Sequence, residues 1–435
     1  MLEARKAHFI GIGGIGVSAI ARMLLSEGVA VSGSDVSRSE ITDELESLGA
    51  EFRLGHQREN VPPGCDLVVY TNALSKENPE LLAARKCGLK TLSYPEALGE
   101  ISRDKFVIAV SGSAGKTTTT ALLGQILVDA GLEPTVVVGS LAYFTDSAGK
   151  VEKTNFLFGR GKYFVVEADE YKRAFLNLNP KILAITNVEP DHLDYYRDLA
   201  DLQSAFGELV AKVPSEGFIV ASPKDPLVSP ALEQSRAVIL DYRTAEVPKN
   251  FPLPGKHNRD NAKVALTAAS ALGIDKIAIE KSLAKAKGPW RRFEYKGKTK
   301  NGVEIYDDYA HNPQKVRALI AGVREIFPNK RIVLVFQPHL FSRTKKLLKE
   351  FAESFEGVDR LIILPIYAAR EVSDPEINHR ILAEAVKSAG SIPIVETLDA
   401  LGDVAGALSE EKNGSVCLLV GAGDLYTVCR TLLDN

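Results

Sequence analysis

The sequence predicts an α/β protein with three domains. Short apolar runs of strand length alternate with segments of helical period along most of the 435 residues. This alternation is typical of parallel strands buried under crossover helices. Domains usually hold roughly 100 to 200 residues, so a chain of this length suggests about three of them. We expect boundaries near residues 103 and 287, giving domains 1–103, 104–287 and 288–435.

The amino-acid composition indicates which classes of partner the protein is expected to bind. The chain has 53 Lys and Arg against 56 Asp and Glu, a net charge of -3. It therefore lacks the basic excess of proteins that bind nucleic acid or anionic membranes, and we expect neither partner. No apolar run approaches the roughly 18 residues needed to span a bilayer. The four cysteines form no CxxC pair, which favours a reducing, cytoplasmic location; they are Cys65, Cys87, Cys417 and Cys429.

The first predicted strand, which includes residues 8–10, runs into a glycine-rich turn. Residues 11–16 read GIGGIG, a helical segment continues to about Glu27, and Asp35 ends the next predicted strand. This order matches the GxGxxG fingerprint, in which glycines and a helix N-terminus receive a pyrophosphate and the acid meets ribose hydroxyls. Taken alone it indicates a dinucleotide, or a tight turn that binds nothing. The candidate ligand-binding residues are Gly11, Gly13, Gly14, Ile15, Gly16 and Asp35.

A second glycine-rich loop follows the predicted strand 105–110. Residues 111–118 read SGSAGKTT and lead into a helical segment. A strict P-loop has glycine where this chain has Val110, so the match is to the shorter GxxGKT form. Its amides and Lys116 can hold the β- and γ-phosphates of ATP, and the Thr117 hydroxyl can hold Mg²⁺; a plain glycine turn is the alternative. The candidate residues are Gly112, Ser113, Gly115, Lys116, Thr117 and Thr118.

Acidic residues follow two further predicted strands. The strand 163–166 ends in Glu167, Asp169 and Glu170, and the strand 182–185 is followed by Asp191, His192 and Asp194. Strand ends face the ligand crevice of an open α/β sheet, and Mg²⁺ prefers carboxylate and phosphate oxygens. The pattern indicates a magnesium site, with a structural histidine as the alternative for His192.

Three motifs lie farther along the chain, and each is ambiguous by itself. They could be a helix N-cap, a solvated charge pair and a turn. They are PGKHN with Asn258 and Asn261, RRFE with Arg292, and DDYAHNP with Asp308, Tyr309 and His311.

Taken together and in this order, the motifs resemble those of the Mur ligase family over the whole chain. The resemblance also uses His56 and Asn72 in the first domain. It implies a Rossmann-like N-terminal domain, a central P-loop ATPase domain with a mostly parallel sheet, and a C-terminal dinucleotide-fold-like domain that closes and binds the amino acid. The implied enzyme is an ADP-forming, ATP-dependent ligase of peptidoglycan precursor synthesis. It joins L-alanine to the lactyl carboxylate of UDP-N-acetylmuramate through an acyl phosphate, with ATP and two Mg²⁺ ions, as a monomer or weak homodimer.

The resemblance also implies roles for individual residues. The glycine turn binds the UDP-sugar together with Asp35, His56 and Asn72. The catalytic residues are Lys116, His192, Arg292 and His311. The metal ligands are Thr117, Glu167 and His192. The ATP contacts beyond the P-loop are Asn258, Asn261, Arg292 and Asp308. The amino-acid contacts are Tyr309, His311, His339 and Arg343.

Several positions depart from the family pattern. Several other members carry a carbamoylated lysine at the position of Phe206. The absence of that lysine here matches the alanine-adding branch of the family. Leu340 replaces an arginine expected to meet the amino acid, and Arg370 is a candidate compensating cation. The remaining departures are Ser113, Ala114, Tyr171, Lys172 and Asn312.

Three alternatives remain open at this point. A NAD(P)-dependent oxidoreductase would use the glycine turn but leave the ATP loop without a role. A nucleotide-binding regulator without catalysis is compatible with the departures. A related ligase could add another amino acid or a peptide to UDP-muramate.

Overall fold

The computed structural model describes residue 2 and residues 4–146, 148–192, 195–369, 371–390 and 392–434. Its contacts group into two compact units. The first unit comprises residues 1–252 and 258–289, and the second comprises residues 253–257 and 290–435. The first unit contains two sheets and the second unit contains one. The predicted α/β class, with three mostly parallel sheets, is confirmed.

The first sheet is fully parallel, with strand order β3-β2-β1-β4-β5. Its strands are β1 (Lys6–Ile10), β2 (Ala30–Asp35), β3 (Glu51–Leu54), β4 (Leu67–Tyr70) and β5 (Lys90–Ser93). Its helices are α1 (Ile15–Ser26), α2 (Glu40–Ser47), α3 (Pro79–Lys86) and α4 (Tyr94–Ser102). The chain order reverses between β1 and β4, which is where ligands bind in open sheets of this kind.

The second sheet has the order β12-β11-β10-β6-β9-β7-β8, and only β7 and β8 pair antiparallel. Its strands are β6 (Phe106–Ser111), β7 (Thr135–Thr145), β8 (Val151–Leu157), β9 (Tyr163–Glu167), β10 (Ile182–Ile185), β11 (Phe218–Ala221) and β12 (Val238–Asp241). The helices are α5 (Lys116–Asp129), α6 (Leu199–Ala211), α7 (Ser229–Leu232), α8 (Lys256–Ala271) and α9 (Lys276–Leu283).

The third sheet has the order β13-β14-β18-β15-β16-β17, and only β13 and β14 pair antiparallel. Its strands are β13 (Glu294–Lys298), β14 (Glu304–Asp308), β15 (Arg331–Phe336), β16 (Arg360–Ile363), β17 (Val395–Thr397) and β18 (Ser415–Val420). Its helices are α10 (Pro313–Ile326), α11 (Phe341–Lys346), α12 (Leu348–Ala352), α13 (His379–Ala389), α14 (Val404–Leu408) and α15 (Val428–Asp434).

The division of the chain at residues 103 and 287 stays a prediction. Strands β1–β5, β6–β12 and β13–β18 fall in the three predicted segments in turn. The contact grouping, however, treats the first two sheets as one unit, and it assigns Leu253–His257 to the unit that contains the third sheet. No helix in the described part of the chain is both long and apolar enough to cross a membrane.

Many apolar residues of the first two sheets and their helices form one continuous buried cluster, and a smaller cluster lies between the first sheet and α3. Phe206 on α6 is fully buried in it and packs edge-on against Phe175, with ring centroids 5.2 Å apart. The position at which other family members place a carbamoylated lysine is therefore a core position here. Apolar side chains also cover the two faces of the third sheet, in two separate clusters.

A buried polar network links the strands of the first sheet to α3. The carboxylate of Glu80 has no exposed surface and lies 3.0 Å from Nε2 of His8 on β1. It accepts hydrogen bonds from Ser34 Oγ at 2.7 Å, from Asn60 Nδ2 at 2.7 Å and from the amide of Gln57 at 3.0 Å. Burial alone would raise the pKa of Glu80, but these hydrogen bonds outweigh it and hold the pKa below its ordinary value of 4.5.

Glu80→Gln is expected to lower the stability of the first unit by about 2 to 4 kcal/mol, because a buried histidine and hydroxyl lose their anionic partner. The measurement is the thermal unfolding midpoint at several pH values. Since the folded-state pKa is lowered, the difference from wild type should be full at pH 7 and shrink as the pH falls below about 4.5.

Glu59→Gln is the matched control. That carboxylate pairs with Arg58 on the surface and should contribute little. Equal midpoints for Glu80→Gln and wild type at pH 7 would contradict a stabilising role for the network.

Candidate functional site

The predicted UDP-sugar residues follow the carboxyl ends of four neighbouring strands. The glycine turn follows β1, Asp35 ends β2, His56 follows β3 and Asn72 follows β4. Asp35 Oδ2 accepts a hydrogen bond from the amide of Gly13 at 2.9 Å, so the acid also holds the turn. His56 Nδ1 lies 3.0 Å from Ser34 Oγ and 3.4 Å from Glu80 Oε1, which orients its ring. Asn72 is exposed.

The turn is anchored to the second sheet by a residue that the sequence analysis missed. Asn155 on β8 is fully buried, and its side-chain amide donates to Ser18 Oγ at 2.9 Å and to the carbonyl of Ile15 at the start of α1. Nothing in the local pattern of β8 predicts this contact, because it joins parts of the chain about 140 residues apart.

The P-loop connects β6 to α5, and Gly115 is the N-cap of that helix. Gly115 has a φ of +85°, and an added Cβ would lie 2.2 Å from Oδ1 of Asn261. Asn261 is buried, so its amide packs directly on the phosphate loop. Glycine is therefore required at position 115 both by the backbone conformation and by the neighbouring amide.

Ser113, a departure from the family pattern, holds this loop through its side chain, and at Ala114 the backbone holds it. The Ser113 hydroxyl donates to the carbonyl of Glu189 and accepts from its amide, both at 2.8 Å. The amide of Ala114 donates to Oδ1 of Asn187 at 2.9 Å, and the Ala114 carbonyl accepts from Thr186 Oγ1 at 2.6 Å. The loop is thus tied to the segment after β10.

Lys116 lies at the centre of the loop and is held by an acid. Its Nζ is 2.9 Å and 2.8 Å from the two carboxylate oxygens of Glu170, and 2.6 Å from the carbonyl of Gly112. Burial would lower the pKa of Lys116, but the charges of Glu170 and Glu167 raise it overall, so the amine stays protonated. Burial would raise the pKa of Glu170, but its hydrogen bond with His192 and its ion pair with Lys116 hold the pKa below its ordinary value.

Thr117 and Glu167, predicted as ligands of one metal ion, lie together. Thr117 Oγ1 donates to Glu167 Oε1 at 3.0 Å, and the amide of Gly139 donates to Oε2 at 2.7 Å. Loss of solvation raises the pKa of Glu167 in spite of these bonds and of Lys116. A cation bound between Thr117 and Glu167 would offset the free-energy cost of burying the charged Glu167 carboxylate. Thr118, the next residue of α5, is buried.

His192 groups with two carboxylates that the sequence analysis noted but did not assign. Potential ligand atoms of Asp169, Glu170 and His192 all lie within 4.8 Å of one another. His192 Nε2 is 3.5 Å from Glu170 Oε1. This contact, supported by the charge of Asp191, raises the pKa of His192 although burial acts in the opposite direction. The chemistry of this set, two oxygen donors and one imidazole, fits a divalent cation. Asp194 lies outside the described residues.

Backbone strain is concentrated around these acids. Lys172, Arg173 and His192 have φ values of +52°, +56° and +53°, in the left-handed region that non-glycine residues seldom adopt. Such strain persists where surrounding structure over-determines a conformation, as it does at binding sites. Tyr171 packs on the His192 ring, with centroids 4.8 Å apart, and covers one side of it.

In the second unit, Arg292 lies in a strained loop that Asp308 holds. The flanking residues Arg291 and Phe293 have φ values of +56° and +49°. Asp308 accepts hydrogen bonds from the amides of Phe293 at 2.8 Å and Ala310 at 2.7 Å. Burial raises the pKa of Asp308, and Arg292 counteracts this shift. Asp308 therefore positions Arg292, and this role is separate from its predicted contact with ATP.

Arg291, which the sequence analysis did not assign, anchors the same loop. Its guanidinium is buried, pairs with Asp307 at 3.1 Å and donates to the carbonyls of Gly421 and Gly423. Both guanidinium groups lie over the ring of Tyr309, that of Arg291 at 5.3 Å and that of Arg292 at 5.4 Å from its centroid. Both arginines of the RRFE motif thus pack on a candidate site residue, and Arg291 is in addition fixed by its ion pair with Asp307.

The predicted amino-acid residues also lie close together. His311 Nδ1 is 2.8 Å from the carbonyl of Tyr309, so Nδ1 carries the proton and Nε2 of the neutral ring is an acceptor. The rings of His311 and His339 lie 6.2 Å apart, and His339 Nδ1 is 3.4 Å from Arg343 Nη1. Burial and then the charge of Lys315 lower the pKa of His311 well below 6.5, so it stays neutral near pH 7.

Tyr367, which belongs to a motif shared with the family but had no predicted role, completes this group. It stacks on His339 with centroids 5.6 Å apart, and its carbonyl accepts from the amide of Leu340 at 2.9 Å. The backbone of Leu340 is strained, with a φ of +72°, and this conformation fixes the direction in which its side chain leaves the chain. Arg370, the candidate compensating cation, lies outside the described residues.

Comparison with family models gives three matches in chain order. Residues 6–106 match the model described as Mur ligase family, catalytic domain. Residues 110–247 match the Mur ligase middle domain, and residues 291–423 match the Mur ligase, glutamate ligase domain.

Individual proteins match over nearly their whole length. The UDP-N-acetylmuramate–L-alanine ligase of Clostridium kluyveri is 38% identical, covering 100% of this chain and 99% of that protein. The enzyme of the same name from Clostridium acetobutylicum is 36% identical, covering 99% and 98%.

Among solved structures, the UDP-N-acetylmuramate–alanine ligase of Thermotoga maritima superposes with a TM-score of 0.82 at 28% identity, covering 99% of this chain and 98% of that one. A murein peptide ligase from Psychrobacter arcticus gives 0.70 at 23% identity, with 99% and 98% coverage, and supports the fold alone. From the models that match each sheet region in turn and from the full-length relatives, we conclude that the chain belongs to the Mur ligase family.

Proposed function

We propose that this protein is an ADP-forming ligase that joins L-alanine to the lactyl carboxylate of UDP-N-acetylmuramate at the expense of ATP. The observation that carries the proposal is the P-loop Lys116 surrounded by acids within the unit that also contains the glycine turn. The two Clostridium relatives carry that activity in their names. A hydride-transfer enzyme would have no use for such a loop.

The chemistry requires two anions to approach each other. The lactyl carboxylate attacks the γ-phosphate of ATP, which gives an acyl phosphate and ADP, and the amine of L-alanine then displaces phosphate. Lys116 supplies positive charge at the phosphates, and its amine is paired with the carboxylate of Glu170. Binding of ATP would exchange one anionic partner of Lys116 for another, so the site needs little reorganisation.

Magnesium fits the acids of the first unit, and we propose two ions. Thr117 with Glu167 would hold one, and His192, with Asp169 and Glu170 within reach, would hold the other. Bound Mg²⁺ neutralises charge on the transferring phosphoryl group.

The second unit supplies groups suited to an amino acid. Arg343 provides a cation for the carboxylate, and the Nε2 acceptor of neutral His311 can receive a hydrogen bond or a proton from the amine. Leu340 favours the second candidate, a ligase that takes another small amino acid such as glycine or serine. With one arginine in place of two, the carboxylate is held more weakly.

We place the enzyme in the cytoplasm as a monomer or weak homodimer, acting on small molecules. Its substrates are nucleotides and an amino acid, and all four cysteines are free thiols, which supports a reducing compartment. Sedimentation of the full chain at micromolar concentration measures the oligomeric state.

The assay for the activity is phosphate release with UDP-N-acetylmuramate, ATP and a panel of amino acids. We expect release to require the UDP-sugar and to be fastest with L-alanine. Release that is independent of the UDP-sugar, or absent with every amino acid, would contradict the proposed function.

Lys116→Ala is expected to lower the rate of ligation by a factor on the order of a hundred or more, because charge at the phosphates is lost. Binding of UDP-N-acetylmuramate, measured by calorimetry, should stay within about twofold of wild type, since the glycine turn is untouched. Lys90→Ala, at an exposed lysine that pairs with Glu100, is the control. Ligation within tenfold of wild type would rule out the P-loop assignment.

Glu167→Gln is expected to raise the Mg²⁺ concentration for half-maximal activity, because an amide is a poorer ligand than a carboxylate for this cation. His192→Ala should act in the same direction, more weakly. Glu216→Gln, at an exposed acid that pairs with Lys181, is the control. Magnesium titrations of both variants that overlay wild type would show that neither residue holds the metal.

Arg343→Ala is expected to raise KM for L-alanine about five- to a hundredfold, because hydrogen bonds to charged groups contribute about 1 to 3 kcal/mol. Leu340→Arg should lower it. The measurement is KM for L-alanine, glycine and L-serine, with Arg380→Ala, at an exposed arginine of the same unit, as the control. Arg370→Gly tests the compensating cation. Unchanged KM values for Arg343→Ala would place the amino-acid pocket elsewhere.

A further inference from the structure

Tyr94, the first residue of α4, packs on the glycine turn. An added Cβ on Gly16 would lie 2.6 Å from Cζ, 2.8 Å from Cε1 and 2.9 Å from Cε2 of the Tyr94 ring. These three carbons form the hydroxyl end of the ring. Gly16 does not adopt a positive φ, so the last glycine of the GIGGIG motif is required here by the neighbouring phenol rather than by its own backbone conformation.

The hydroxyl of Tyr94 is an available hydrogen-bond donor. The residue is half-buried, and its hydroxyl has no hydrogen-bond partner among the residues that the structure describes. Burial, followed by the charges of Glu167 and Asp169, raises the pKa of Tyr94 far above 10. The phenol therefore keeps its proton at physiological pH. The hydroxyl is not among the buried polar atoms of the described residues, so a ligand can reach it.

The position of this donor is distinctive. On one side is the N-terminus of α1, whose free amides favour a phosphate group. Glu167 and Asp169 of the second sheet are near enough to act electrostatically on the phenol. A UDP-sugar that extends from the glycine turn toward those acids leads with its β-phosphate and its sugar.

We propose that the Tyr94 hydroxyl donates a hydrogen bond to the β-phosphate of the bound UDP-sugar and so positions the sugar end of the substrate. This inference rests on the proposed function. It assigns to Tyr94 a contact with substrate that the motifs did not indicate, and it explains why a ring of this kind lies against a glycine.

The test compares three ligands that share the uridine end: UMP, UDP and UDP-N-acetylmuramate. Tyr94→Phe keeps the ring that packs on Gly16 and removes only the donor. Tyr163→Phe is the matched control, because Tyr163 is also half-buried in the first unit but is the first residue of β9, at the opposite end of that strand from Glu167. Affinities are measured by calorimetry, and wild-type ligation is measured in parallel.

We expect Tyr94→Phe to weaken UDP and UDP-N-acetylmuramate alike by about tenfold, as for a hydrogen bond to a charged acceptor, and to leave UMP within twofold. Unchanged affinity for UDP would overturn the contact with the β-phosphate, as would an equal loss for UMP. A loss confined to UDP-N-acetylmuramate would also overturn it, by placing the acceptor on the sugar. Wild-type protein that binds none of these ligands would instead refute the proposed function, so the two failures are distinguishable.

Discussion

The ion pair between Lys116 and Glu170 is the interaction on which the first unit's site depends. Both side chains are largely removed from solvent, and neither charge could remain there alone without a large desolvation penalty. Glu170 in turn faces His192, and Lys116 faces Glu167. Charge compensation therefore holds the P-loop lysine and a set of acids together. A nucleotide with its cations can replace these contacts with similar ones.

The sheet topology determines which residues join this group. The strands β6, β9 and β10 are parallel neighbours, so the P-loop, the acids after β9 and the loop after β10 all lie at one edge. The first sheet repeats the arrangement, with the glycine turn, Asp35, His56 and Asn72 at its own carboxyl edge. Each ligand would thus bind in the crevice at the carboxyl ends of the parallel strands of its sheet.

Much of this site could be predicted from sequence, because motif spacing reports local structure. The strand, loop and helix around Lys116 follow from the glycines and apolar runs, and the structure places α5 at Lys116–Asp129. The partners of these residues could not be predicted, because they depend on contacts between distant segments. Glu170 was visible as an acid at a strand end, but its pairing with Lys116 spans 54 residues. Asn155 and Tyr94 carry no local signal at all, and the motif that contains Tyr367 does not predict its stacking on His339.

The positions that depart from the family pattern show the same difference between local structure, which the sequence predicts, and contacts between distant segments, which it does not. Ser113 differs from the usual residue, yet its hydroxyl has a clear structural use against the backbone of Glu189. Asn312 is the N-cap of α10 and accepts from the amide of Lys315 at 2.9 Å. These substitutions preserve the local fold, and they leave the P-loop lysine and His311 in place.

The most direct test of the account follows an oxygen atom. UDP-N-acetylmuramate labelled with ¹⁸O in its lactyl carboxylate is turned over with ATP and L-alanine, and the released phosphate is analysed by mass spectrometry. Attack of the carboxylate on the γ-phosphate, followed by displacement at the carbonyl carbon, transfers one carboxylate oxygen to phosphate. The account predicts phosphate that carries one ¹⁸O per turnover. Unlabelled phosphate accompanying amide formation would contradict it.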